Sequence, residues 1–234
     1  MPFRYSLFNM TGIGFVIIAG IISLAAQLFV QSTYSKYRNV RTSAGLTGAD
    51  VARNILQQNG IFDVQVIRSN RGTLSDHYDP TRKVVALSPD VYDGTSIASV
   101  SIAAHEVGHA IQHATGYVFI AVRNKVLPLA IVGSNVGAFA FMLGLAGGAL
   151  GFLMDVGIIA ISVVALFQLI TLPVEFDASA RALKIIGSNG MLNQNELSGS
   201  KKMLTAAALT YVASLVSVLA TLARYIAIRD SRRD

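Results

Sequence analysis

The chain contains no cysteine, so no disulfide framework, no thiolate nucleophile and no zinc–cysteine site belongs to it. Charge is scarce as well. Asp, Glu, Lys and Arg make up 14% of the 234 residues, against about a quarter in an average globular protein. The few charges are also unevenly spread. Between Arg4 and Lys36 lie 31 uncharged residues, between Lys202 and Arg224 another 21, and Asp155 is the single charge between Lys125 and Glu175. Uncharged stretches of about 18 or more residues are long enough to cross a bilayer core of about 30 Å. With 53% hydrophobic residues, the chain has too little polar surface for disorder and too little charge for a soluble globule. It reads as an integral membrane protein. The net charge of +6 does not point to a nucleic-acid partner, because the basic residues flank the apolar stretches, as membrane topology requires.

The chain divides by polarity. Residues 1–35 hold an N-terminal segment and a first span, roughly Thr11 to Val30, which is too long for a signal-peptide core and reads as a retained anchor. Residues 36–125 form a polar α+β unit. Thr47 to Asp50 opens an amphipathic helix over 51–58 that Gly60 stops. Phe62 to Ile67 alternates as a strand does, Asp79 and Pro80 mark a turn, and Lys83 to Ser88 reads as a second strand. Thr95 or Ser96 then caps a helix from Ile97 to Ala114, ended by Gly116. Residues 126–174 span about 74 Å as helix, enough for two crossings, with Asp155 and Gly157 as the expected turning point. Gly133, Gly137, Gly144, Gly147, Gly148 and Gly151 stand at small-xxx-small spacings. Such spacings pack helices closely within a hairpin, and they also offer a face through which copies of the chain can associate. Residues 175–202 are polar again, and 203–234 hold a fourth span and a basic tail.

Chemistry concentrates in one motif. His105-Glu106-Val107-Gly108-His109 is H-E-x-x-H inside the helix over 97–114. Imidazoles at i and i+4 share a helix face and converge on one zinc at about 2.0–2.1 Å. Glu106 is placed to take a proton from the attacking water and return it to the leaving amine. A catalytic zinc normally needs a third protein ligand. His113 lies about 12 Å from His105 along a straight helix and cannot share the ion. Gln112 stands where a metzincin-type motif has its turning glycine. His77 lies in the strand-turn region, with a cleft-facing role open to it. Glu175 is the better ligand: it is one of only three glutamates, and an even number of crossings returns it to the side of His105. Glu196 sits in a polar loop and receives no role.

Four runs together carry a resemblance: LSDHYDP over 74–80, VVALSPDVY over 84–92, AHEVGHAIQHATGY over 104–117 and LPVEFDASAR over 172–181. They resemble the YugP-type neutral zinc metallopeptidases of bacterial membranes, over nearly the whole chain. More distantly, the chain is similar to the HtpX and CAAX prenyl-protease group of membrane gluzincins. In that group the zinc-binding glutamate is followed four residues later by an aspartate. Here Glu175 matches the glutamate, but the later position is Ser179, which leaves Asp177 or a serine hydroxyl to orient His105.

The resemblance implies a four-span membrane α-helical bundle with a zincin-like α+β catalytic unit inserted between spans 1 and 2. It implies one catalytic Zn2+ on His105, His109 and Glu175, with Glu106 as general base, hydrolysing membrane-associated protein or peptide substrates in membrane protein quality control. The strand Lys83–Ser88 is expected to pair with an extended substrate, and Tyr78, His77 and Arg181 are candidate oxyanion donors. Four spans put both termini on one side of the bilayer. That side has Arg4, Arg224, Arg229, Arg232 and Arg233, and the other has Lys36, Arg38, Arg41, Arg123, Lys125, Arg181, Lys184, Lys201 and Lys202. The positive-inside rule therefore expects a cytoplasmic active site in a bacterial inner (cell) membrane. Two other readings compete. An intramembrane, site-2-type metalloprotease would take Asp155 as its distant ligand, but the helix over 97–114 is too polar to face lipid. A zinc-binding transporter or channel would need polar groups at membrane depth that the spans lack.

Overall fold

The computed structural model describes residues 3–72 and 75–232. Leu74 and Arg233, and the side chains of residues 3–12, lie outside that description. The chain is mostly helical. Its elements run α1 (Phe3–Tyr37), α2 (Gly48–Gln58), β1 (Gln65–Arg68), β2 (His77–Asp79), β3 (Val84–Leu87), α3 (Pro89–Tyr92), α4 (Ile97–Ala114), α5 (Val118–Gly144), α6 (Leu153–Ser188) and α7 (Gln194–Asp230). Four helical stretches are long and apolar enough to cross a membrane: Ile13–Tyr37, Val118–Gly144, Gly148–Ser188 and Gln194–Asp230. Two compact units form. One comprises residues 28–121 and 173–208, the other residues 1–27, 122–172 and 209–234.

The first unit carries the H-E-x-x-H helix. The Thr47 hydroxyl accepts from the Asp50 backbone N–H, and Asp50 accepts from the Thr47 N–H, closing the capping box that starts α2. Ser96, rather than Thr95, caps α4 by accepting from the Ser99 N–H. A small mixed sheet has the order β1-β3-β2, with β1 parallel and β2 antiparallel to β3. Strand β2 is not expected from the sequence, because three residues give no alternation to read. The turn after it is as expected: Asp79 accepts from the Thr81 and Arg82 backbone N–H groups. Every residue of β3 is buried. Val85, Leu87, Val51, Ile55, Val100, Val107 and Ile186 are among the buried residues of one apolar core that joins sheet, α2, α4 and α6.

In the other unit, α5 and the start of α6 form a hairpin. Its turn does not fall at Asp155 and Gly157, as the charge pattern predicts, but eight residues or so earlier. Gly147 and Gly148 take φ of 77° and 56°, a region side-chain-bearing residues avoid. Asp155 instead sits in the first turn of α6 and pairs with Arg229 at 3.1 Å. Gly157 packs: a Cβ there would lie 2.8 Å from the Gly137 carbonyl oxygen. A Cβ on Gly133 would likewise lie 2.6 Å from the Ala160 carbonyl oxygen. The glycine spacing is thus used inside the hairpin. On α1, by contrast, Ile13, Phe15, Ile17, Ile18, Ile21 and Leu24 are 46–63% exposed, an apolar surface suited to lipid and costly in water. Helices α6 and α7 both continue past the expected limits of their apolar segments, so 175–202 is largely helical.

Candidate metal centre

His105 and His109 leave one face of α4, their rings edge to face with centroids 4.8 Å apart. Helix α6 can come close to that face because of Gly108, where a Cβ would lie 2.7 Å from the Ala178 carbonyl oxygen. Ala104, Ala178 and Ala182 are buried here too, keeping the gap narrow. Glu175, one turn before Ala178, therefore reaches the histidines. Its Oε2 lies 3.3 Å from His105 Nε2 and 3.5 Å from His109 Nε2.

These three side chains could hold one metal ion, their ligand atoms all lying within 4.8 Å of one another. The fit is chemical as well as geometric. Glu175 is 2% exposed, and its Oε2 is buried without a hydrogen-bond partner among the described residues. A buried carboxylate oxygen facing two imidazole nitrogens is costly unless a proton or a cation stands among them. Two nitrogens and a carboxylate oxygen, with no thiolate, form a donor set that zinc accepts.

The far sides of both rings are held. His105 Nδ1 is 3.1 Å from Ser179 Oγ, and His109 Nδ1 is 3.0 Å from Gln112 Oε1. Of the two candidates for orienting His105, the serine faces it. Asp177 instead accepts from Gln112 Nε2 at 2.9 Å and from Arg181 Nε at 2.6 Å. Burial works against a proton on His109, but the Glu175 and Glu106 carboxylates outweigh it and the imidazole pKa rises above its ordinary value. Glu106 is half-buried on the same helix. Its charge also reaches Asp76, which burial already pushes up while two hydrogen bonds from Ser88, at 2.7 and 3.0 Å, pull it back.

The remaining sequence candidates fall elsewhere. His113 Nδ1 meets the Tyr78 hydroxyl at 3.0 Å, and His77 Nδ1 lies 2.8 Å from the Ser75 carbonyl oxygen. Neither joins the cluster, nor does Asp155. Arg181 is engaged by Asp177 and lies over the Tyr117 ring. Glu196 does have a role, in structure. It accepts from the Ser43 and Asn193 backbone N–H groups while Asn193 Oδ1 accepts from the Glu196 N–H, a capping box that starts α7. Substrate pairing on β3 is corrected: β1 and β2 occupy both its edges, so β3 has no free ladder to offer. Sequence reasoning also passed over Gln112. The signal was present, since a residue three after His109 shares its helix face.

A family model described as "Putative neutral zinc metallopeptidase" matches residues 13–230. The chain is 48% identical over 221 residues to the "Putative membrane protease YugP" of Bacillus subtilis (strain 168), covering 94% of this chain and 97% of that protein. No solved structure matches it. A match that runs through the spans and the H-E-x-x-H helix alike places the whole chain, not one segment of it, in the neutral zinc metallopeptidase family.

Proposed function

We propose that the chain is a membrane zinc endopeptidase of the gluzincin type, with His105, His109 and Glu175 as the metal ligands and Glu106 as the general base. The observation that carries this is the buried, unpartnered Glu175 Oε2 directed at two histidine Nε2 atoms. Zinc bound there supplies a Lewis acid for the scissile carbonyl and lowers the pKa of water toward about 7. The Glu106 carboxylate takes the proton of the attacking water and passes it to the leaving amine nitrogen. Ser179 and Gln112 hold the two imidazoles in place from behind. An extended substrate pairs with the outer edge of β2, the end strand of the sheet. Tyr78 stands on that strand, its hydroxyl 3.0 Å from His113 Nδ1, and is the residue we assign as hydrogen-bond donor to the substrate carbonyl.

The polar segment 36–125 serves as a zincin-like catalytic unit inserted between spans 1 and 2, with 175–202 supplying the third ligand. Residues 1–35, 126–174 and 203–234 anchor it. The excess of Lys and Arg around the catalytic segments favours a cytoplasmic active site in the cell membrane. Protein or peptide substrates follow from the family, and removal of damaged membrane proteins is the role we assign.

Casein-type proteolysis by detergent-purified protein tests the reading. Glu106→Gln is expected to keep wild-type zinc while proteolysis falls by a factor of at least about 100. Unchanged proteolysis in Glu106→Gln would remove Glu106 from the reaction.

A further inference from the structure

Gln112 is fully buried, and all of its polar atoms are used. Its Nε2 donates to the Val174 carbonyl oxygen at 2.7 Å and to Asp177 Oδ2 at 2.9 Å. Neither a carbonyl nor a carboxylate can donate in return, so the amide cannot be turned round. The nitrogen must face α6, and Oε1 must face His109 Nδ1, 3.0 Å away. An amide oxygen only accepts. His109 therefore donates from Nδ1, and Nε2 is the nitrogen left to face Glu175, with its lone pair free for a cation when the ring is neutral.

We infer that Gln112 is a positioning residue that locks His109 in the metal-ready tautomer, and that Asp177 and the Val174 carbonyl set Gln112 for that task. The inference rests on reading His105, His109 and Glu175 as metal ligands. It also gives Asp177 and Arg181 a place. Arg181 Nε donates to Asp177 Oδ2 at 2.6 Å, and Gln112 Nε2 donates to the same oxygen. The chain Arg181–Asp177–Gln112–His109 thus runs from a part-exposed guanidinium to a buried ring nitrogen. Val174 is the neighbour of Glu175, so the same amide ties the backbone beside the carboxylate ligand to the histidine opposite. His105 is served separately by Ser179. His109 is backed by a neutral amide oxygen and His105 by a neutral hydroxyl, where a carboxylate would make the imidazoles stronger donors.

The test uses full-length, detergent-purified, metal-free protein with ¹⁵N-labelled histidine, at a pH where the His109 ring is neutral. His109 is assigned from the signals lost in His109→Asn. The wild type is expected to show His109 protonated on Nδ1 and bare at Nε2. In Gln112→Met, which has similar length but no amide, the His109 signals are expected to shift to a mixture of tautomers. Zinc affinity, measured by chelator competition, is expected to fall about 10–100-fold. A wild-type ring protonated on Nε2 would overturn the inference without any variant being needed. So would Gln112→Met with unchanged signals and affinity, even if its thermal stability dropped. Failure of the wild type to bind zinc would instead count against the metal reading, and the tautomer of His109 would still be decided by its own signals.

Discussion

The three glutamates of this chain are separated in role by what surrounds each carboxylate. Glu196 has its oxygens filled by backbone N–H groups, Glu175 has a buried Oε2 facing only ring nitrogens, and Glu106 is half-buried beside them. The sequence distinguishes Glu106 and Glu175 by motif and topology. The capping box of Asn193 with Glu196 was a local signal that went unread, whereas the contact with Ser43, 153 positions away, could not be read at all. At the same scale, Ser179 holds His105 through a hydroxyl alone. Ser179→Ala is expected to weaken zinc binding about 10–100-fold, read by chelator competition, with little change in fold. Asp76 offers a pH test. Burial raises its carboxyl above 3.8, so the folded chain holds that proton more tightly than the unfolded chain does. The contribution of Asp76 to stability must then fall as pH rises from 3.8 through the raised value. Melting curves of metal-free protein should show this slope in the wild type and lose it in Asp76→Asn.

At the scale of elements, the contact of α4 with α6 decides the site. Gly108 sits inside the motif, and a Cβ there would come within 2.7 Å of backbone, which no side-chain movement can relieve. Gly108→Ala is expected to cost about 1–3 kcal/mol of stability and to abolish tight zinc binding, since α6 carries both Glu175 and Ser179. Zinc binding equal to wild type in Gly108→Ala would mean that the helices do not meet there. Element ends were legible wherever the signal is local. Thr47, Ser96, Gly60 and Gly116 act where their chemistry predicts, the two glycines with φ of 70° and 65°. The hairpin turn was not legible. Asp155 stood out as the only charge in an apolar stretch, yet the Gly147–Gly148 pair makes the turn and Asp155 pairs with Arg229, a partner 74 positions on. Strand β2 escaped for a similar reason: it is defined by its ladder to β3, not by its own pattern.

For the whole molecule, the membrane character could be read from the gaps between charges, and the four long apolar helices match them. The zinc chemistry could be read from five residues. What the sequence could not supply was the arrangement behind the ligands: the Gln112–His109 pair is local to α4, but Ser179 meets His105, and Asp177 meets Gln112, only once α4 and α6 pack. A site assembled by packing should stabilise the fold that assembles it. Zinc at about 100 times its Kd is expected to add about 2.7 kcal/mol to stability, seen as a raised melting temperature in detergent. That rise should vanish in Glu175→Ala. The central claim, that Glu175 completes a zinc site with His105 and His109, is tested most directly by the zinc content of purified wild type, Glu175→Ala and Asp155→Ala. The account predicts about one zinc per chain in wild type and Asp155→Ala, and loss of the metal in Glu175→Ala. Zinc retained in Glu175→Ala and lost in Asp155→Ala would contradict it.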